Sequence, residues 1–363
     1  MSAQSDFSDF RFVRDFLQRI LPNSQVISLA GLLLAGSLLV YGLAAYLMPV
    51  FAAIVLAYML EGLVAKAEYR HVPRLVAVYL VFFAFLAGLI FILFILIPIV
   101  SEQLGQLVQH IPEIVSSAQK EILRFPKEHP ELISDARIRD VMLSLQQDLL
   151  KYGQVLISNT AQTFAGLATA IIYLFLVPLM VFFFLKDKKQ LLTWLFQFLP
   201  SDRGLILRVW QEVDLQIANY IRGKFLEVFI LWAVSYLCFF ILDLNYALLL
   251  AVLMGISVVI PYVGATLVTF PVLGVAYVQW GASQGEEFMY VLIAYSLIQA
   301  ADGVVLVPVL FSEAVNLHPI AIIVAILFFG GLWGVWGVFF AIPLATLVKA
   351  VLTAWPRVGV ATE

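Results

Sequence analysis

Six long stretches of this chain carry no Asp, Glu, Lys or Arg: 20–60, 75–101, 152–185, 228–242, 244–285 and 314–348. A helix needs roughly 20 mostly apolar residues to cross a bilayer. Several of these runs suffice for one crossing, and 20–60 and 244–285 are long enough for two. Hydrophobic residues make up 63% of the chain and charged residues 12%, about half the charged share of a soluble domain. No soluble core could absorb so much apolar side chain. Lipid offers no hydrogen-bond partner, so a spanning backbone must satisfy itself. The chain therefore reads as an all-α, polytopic helical membrane protein.

Lys and Arg set the orientation, because cytoplasmic segments carry an excess of them. Segment 1–24 holds Arg11, Arg14 and Arg19 and is placed in the cytoplasm. Three spans follow in 25–100. Pro49 interrupts the first run, which predicts a tight hairpin of two helices. Residues 101–155 are polar, yet Leu104, Leu107, Ile111, Ile114, Ala118 and Ile122 recur at helical spacing, as do Ile138, Met142, Leu145 and Leu149. They predict an extracytoplasmic amphipathic helical insert, broken near Pro126 and Pro130.

The fourth span, 156–185, runs into Lys186, Lys188 and Lys189. In the cytoplasmic segment 186–224, Ile206, Val209, Val213, Ile217 and Tyr220 form an apolar stripe. Arg208, Glu212, Gln216, Asn219 and Arg222 lie opposite, as in an interfacial amphipathic helix. A C-terminal transport core with broken helices, 225–350, and a cytoplasmic tail, 351–363, complete the chain. Straight spans alone would leave the tail outside, whereas Lys349 and Arg357 favour the inside. One hairpin among the broken segments resolves the conflict. Asp6, Asp9 and Asp15 precede an apolar run too long for a signal peptide, so an uncleaved first span is expected.

Several function classes fall away. The 21 basic residues form no stripe that could track nucleic acid. The single cysteine, Cys238, cannot close an intramolecular disulfide. Residues 281–285 read G-x-S-x-G, but a nucleophile elbow needs a strand before the serine, and here apolar helices flank it. HExxH, CxxC, Walker and GxGxxG patterns do not occur. Neither an enzyme nor an ATP-driven pump is expected, and no cofactor or metal is called for.

Asp302 stands out instead, with Gln299 one turn before it. An ionisable residue at the centre of a spanning helix costs about 2.5–3.5 kcal/mol on insertion scales and usually faces a cavity or an ion path. A carboxyl held away from water can also carry a proton. The plainer reading is a structural carboxylate at a helix break, since Gly303 follows. Two apolar segments are rich in breakers: IPYVGATLVTFP (260–271) and GGLWGVWGVFFAIP (330–343). Each has a glycine followed six or seven residues later by proline. Broken helices hold substrates and ions in secondary transporters. Small residues can equally serve helix packing, and Gly330 and Gly334 do have GxxxG spacing. In FSEAVNLHP (311–319), Glu313, Asn316 and His318 form either a polar gate or an ordinary loop ahead of a helix-starting Pro319.

Five ordered motifs resemble the autoinducer-2 exporter (AI-2E) family: VPLMVFFFLKDKKQ (177–190), QIANYIRGK (216–224), VVIPYVGA (258–265), QAADGVVLVPVLFSEAVNLHP (299–319) and GGLWGVWGVFFAIPLATLVKA (330–350). The resemblance covers nearly the whole chain. It implies a permease of the bacterial inner membrane with about eight membrane segments, broken helices or hairpins among them, assembled as a homo-oligomer, a pentamer. It implies export of a small solute such as a quorum-sensing signal; other members resemble sodium/proton antiporters. Carried over by motif, the family's residues here are Tyr220, Arg222 and Gly223 at the interface, and Pro261, Gly264, Asp302, Gly303, Gly331, Gly334 and Gly337 in the core. Three readings stay open: a gradient-coupled exporter taking H+ or Na+, a sodium/proton antiporter, and a membrane scaffold that transports nothing.

Overall fold

The secondary structure follows from that apolar bias. In the computed structural model, the residues described are 24–122, 143–144, 147–148, 150–151, 164–199, 203–261, 263–280, 285–311 and 317–354. Among them there is no strand. The helices are α1 (Ser24–Tyr69), α2 (Arg74–Phe91), α3 (Ile97–Ile122), α4 (Phe164–Lys186), α5 (Lys188–Phe196), α6 (Gly204–Ile241), α7 (Ala247–Ser257), α8 (Val263–Trp280), α9 (Gly285–Ala301), α10 (Val307–Phe311) and α11 (Pro319–Ala354). Two π-helical turns, Ile92–Leu96 and Asp302–Leu306, join α2 to α3 and α9 to α10. Six helical stretches are long and apolar enough to cross a membrane, and three shorter apolar helices accompany them. The chain is an all-α polytopic membrane protein.

One expectation is overturned. Pro49 does not make a hairpin: α1 is helical throughout its 46 residues, with Pro49 inside it. A proline removes one ladder donor, and in spanning helices neighbouring groups can re-satisfy what it frees. At 1.5 Å per residue α1 is about 69 Å long, roughly twice the hydrocarbon thickness.

The chain divides into two units. The first comprises 1–78, 176–222 and 313–363. In it Leu205, Ile206, Val209 and Val213 of α6 pack with Leu29 and Ala350, so the stripe read from the sequence is the buried face. Arg74 ties the α1–α2 corner to α4, donating to Glu61 (3.1 Å), Glu68 (3.1 Å) and the Leu185 carbonyl (3.0 Å). The second unit comprises 79–175 and 223–312. Its core gathers Leu107 of α3, Leu231 and Phe239 of α6, Leu250 and Met254 of α7, Val272 and Ala276 of α8 and Val291 of α9.

The insert is helical through Ile122, and Leu107, Val108 and Val115 are buried, close to the stripe expected. α3 also reaches the turn before α7. There Gln103 accepts a hydrogen bond from the Leu249 amide at 2.9 Å. It thereby occupies a free donor in the first turn of α7, whose own N-cap, Tyr246, supplies no side-chain bond. Burial, and then the charge of Glu113, hold the Tyr246 phenol above its usual pKa. Pro126, Pro130 and most of the second amphipathic stretch lie outside the described residues.

Candidate functional site

The motif Tyr220–Lys224 sits in mid-α6, and each polar member has a separate partner. The Tyr220 hydroxyl donates to the Phe339 carbonyl at 3.1 Å. Arg222 crosses α1 at Gly62, where a Cβ would meet its Cδ at 2.8 Å, and its Nε points at the Tyr58 carbonyl, 3.4 Å away. The absence of a side chain at Gly223 admits α10, since a Cβ there would lie 2.9 Å from the Phe311 ring. The division between the two units falls between Arg222 and Gly223.

The centre of the second unit is Lys224. It is 5% exposed and pairs at 2.6 Å with Glu227, itself 2% exposed. Its ammonium also donates to the Val258 carbonyl at 3.1 Å and lies 5.0 Å from the centre of the Phe311 ring. The carbonyl is available because α7 stops at Ser257. Pro261 can neither donate to a ladder nor leave its predecessor helical. Asp302 completes the group. Lys224 is the charge that acts on Asp302, and Asp302 acts in turn on Glu227. Asp302 opens the π turn and its backbone carbonyl accepts the Val307 amide. Its Oδ1 is buried without a hydrogen-bond partner among the described residues.

Gln299 and Asp302 are thus in one unit, with Gln299 committed to a neighbouring network. Its amide donates to the Tyr295 hydroxyl at 3.0 Å. That hydroxyl donates to the Ala265 carbonyl at 2.8 Å and lies 2.6 Å from the Thr269 hydroxyl. The network pins the first turns of α8 beside the break. Gly303 has open space where a Cβ would go.

Both breaker-rich segments are broken. Gly264 follows the turn at 258–261, and a Cβ on it would lie 1.7 Å from the Ser257 carbonyl oxygen. In α11 the helix is interrupted at Gly334, whose φ of 60° and ψ of −138° suit glycine alone. Across that break a Cβ on Gly337 would lie 1.8 Å from the Phe329 carbonyl oxygen. Residues eight apart are about 12 Å apart along a straight helix, so the chain folds back at Gly334. In each segment a glycine meets a carbonyl seven or eight residues earlier. A proline follows in the returning helix, Pro271 or Pro343. Gly331 touches nothing within 4 Å of a built Cβ.

Of the polar loop, Glu313 and Asn316 lie outside the described residues, as do 281–284 of the G-x-S-x-G match. The ring of His318 accepts the Ile320 amide at 3.3 Å where Pro319 opens α11, a helix start with proline in its favoured place. Lys224 and Glu227 are the residues that counting charge-free runs misses. Lys224 closes the segment 186–224 and Glu227 directly precedes the charge-free run 228–242, so neither falls inside such a run.

A buried ion pair, an orphaned carboxylate oxygen and reversing helices in an apolar all-helical fold describe a class: membrane carriers with irregular backbone around an internal polar site. The sequence pattern of AI-2E family transporters matches residues 26–357, and the chain belongs to that family. It is 44% identical over 347 residues to PerM of Escherichia coli strain K12, named as a candidate permease, covering 95% of this chain and 98% of PerM. YueF of Bacillus subtilis strain 168, named as a candidate transport protein, is 24% identical, with 83% of this chain and 82% of YueF covered. MJ1177 of Methanocaldococcus jannaschii, named likewise, is 23% identical over 63% of this chain and 70% of its own.

Proposed function

We propose that this transporter exports a small solute from a bacterial cytoplasm, across the inner membrane, with export coupled to an ion gradient through Asp302. The observation that carries the reading is the buried, partnerless Oδ1 of Asp302, on a carboxylate that interacts electrostatically with the buried Lys224–Glu227 pair. A structural carboxylate would be expected to have its oxygens occupied. An oxygen kept dry and unpaired fits a group that accepts and releases a cation during a cycle. The break after α7 contributes the Val258 carbonyl to the same cluster, and helix breaks of this kind hold solutes and ions elsewhere. The Gly264–Pro271 and Gly337–Pro343 segments supply the moving parts of an alternating-access cycle. Homo-oligomeric assembly, on the family resemblance, and cytoplasmic termini, on Arg11, Arg14, Arg19, Lys349 and Arg357, belong to this proposal too.

Export is tested by comparing the small-molecule content of medium from cells expressing wild type or Asp302→Asn at equal membrane levels. Wild type should enrich at least one solute that the variant does not. Identical media would reject the export reading. Sodium/proton antiport is the second reading, favoured by two carboxylates that both interact with the charge of one ammonium. Sodium-evoked proton movement without any organic solute would select it.

A further inference from the structure

We propose that Lys224 fixes at one the number of exchangeable monovalent cations, H+ or Na+, held by Glu227 and Asp302. This rests on the coupled-transport reading and adds to it a count and a residue. Glu227 and Asp302 carry two negative charges when ionised and Lys224 one positive. Among the described residues, Lys224 and Asp302 are the charges that act on Glu227, and Lys224 is the charge that acts on Asp302. The π turn contributes Asp302, α10 the Phe311 ring, and the break after α7 the Val258 carbonyl. From α9, the Tyr295 hydroxyl is already engaged with Ala265, Thr269 and Gln299.

The sum is one uncompensated negative charge in an apolar span. That arrangement is strongly unfavourable. A single proton or Na+ cancels it, and a second would overshoot. The Lys224 ammonium is held in place by Glu227 at 2.6 Å and the Val258 carbonyl at 3.1 Å. It therefore acts as a resident cation, and the Asp302 Oδ1 is left for the exchangeable one. Oxygen ligands of this type suit Na+. Ser235 lies on the same face of α6 as Lys224 and Glu227. Its Oγ is also buried without a partner among the described residues, which extends the polar line along the helix.

The test reads carboxyl protonation directly, on purified full-length protein in nanodiscs, by infrared difference spectroscopy of the carboxylic-acid C=O stretch. Wild type in choline chloride should show a protonated carboxyl equivalent to one group, removed by Asp302→Asn or Glu227→Gln. Lys224→Gln, which keeps a donor for Val258 but no charge, should raise the band about twofold. If NaCl in place of choline chloride erases the wild-type band, the exchangeable cation is H+ or Na+. If the band persists, it is H+ alone. The inference is overturned if Lys224→Gln leaves the amplitude at one group, or if wild type shows no such band and no response to Na+. Size-exclusion profiles identify variants that fail to fold. A one-proton result with no solute or ion flux would sink the transport reading and leave the charge count standing.

Discussion

At the residue scale, Lys224 and Glu227 behave as one object. Removing one partner of a buried ion pair strands the other and typically costs about 3–5 kcal/mol, whereas replacing both with apolar side chains is often close to neutral. Lys224→Met should therefore destabilise the protein strongly. Lys224→Met with Glu227→Leu should recover most of that stability and leave Asp302 with its one exchangeable cation. Thermal unfolding in detergent, paired with a flux assay, separates the two effects. A double variant no more stable than the single would show that the pair is not the unit described here. These two residues were hard to read from the sequence for a physical reason. An ion pair one turn apart cancels its own charge, so it can sit inside a span that a charge-free criterion cuts short. Asp302 had no such partner on its own helix and was legible. Its π turn was not, because no residue type specifies one.

The element scale is where glycine positions become testable. The carbonyl oxygens facing Gly264 and Gly337 belong to backbone at 1.7 and 1.8 Å from a built Cβ, and backbone cannot step aside. Gly264→Ala and Gly337→Ala should each unfold their reversal and reduce folded protein in the membrane several-fold. Gly331→Ala and Gly303→Ala, which meet open space, should be tolerated. Fluorescence size-exclusion of tagged variants reads this out, and a tolerated Gly337→Ala would contradict the fold-back at Gly334. Another prediction concerns the turn between α6 and α7. There Gln279 donates to the Asp243 carbonyl and accepts from the Asn245 amide, both at 2.7 Å. Asp243 and Tyr246 have positive φ on either side. Gln279→Ala should cost about 0.5–1.5 kcal/mol by exchanging exposed hydrogen bonds for water, visible as a lower Tm. The breaks were legible because glycine and proline punctuate helices whatever surrounds them. Pro49 misled for the complementary reason: a proline inside a long apolar helix can be tolerated, and only packing shows whether it turns the chain.

On the scale of the whole molecule, the apolar runs foretold the helices, and the polar insert foretold its amphipathic face through Leu107. What they could not foretell was the grouping. α6 contributes its first half to one unit and its second half to the other, and 313–363 belongs with the N-terminal helices. Such long-range partnering leaves no mark on local periodicity. The stretch Arg74–Glu113 is the most apolar of the candidate spans, and none of its most apolar window is buried. Those side chains meet lipid or a second copy. The oligomer proposed above predicts a multiple of 40.5 kDa in native mass spectrometry from nanodiscs, and a purely monomeric mass would count against it.

The central claim is that Asp302 carries a cation through a transport cycle. Its most direct test is proton flux into proteoliposomes under an imposed pH gradient, comparing wild type with Asp302→Asn while Na+ and small polar solutes are added one at a time. The account predicts that at least one addition dissipates the gradient through wild type and none does so through the variant. Equal dissipation by both proteins would place the coupled path elsewhere and contradict the account.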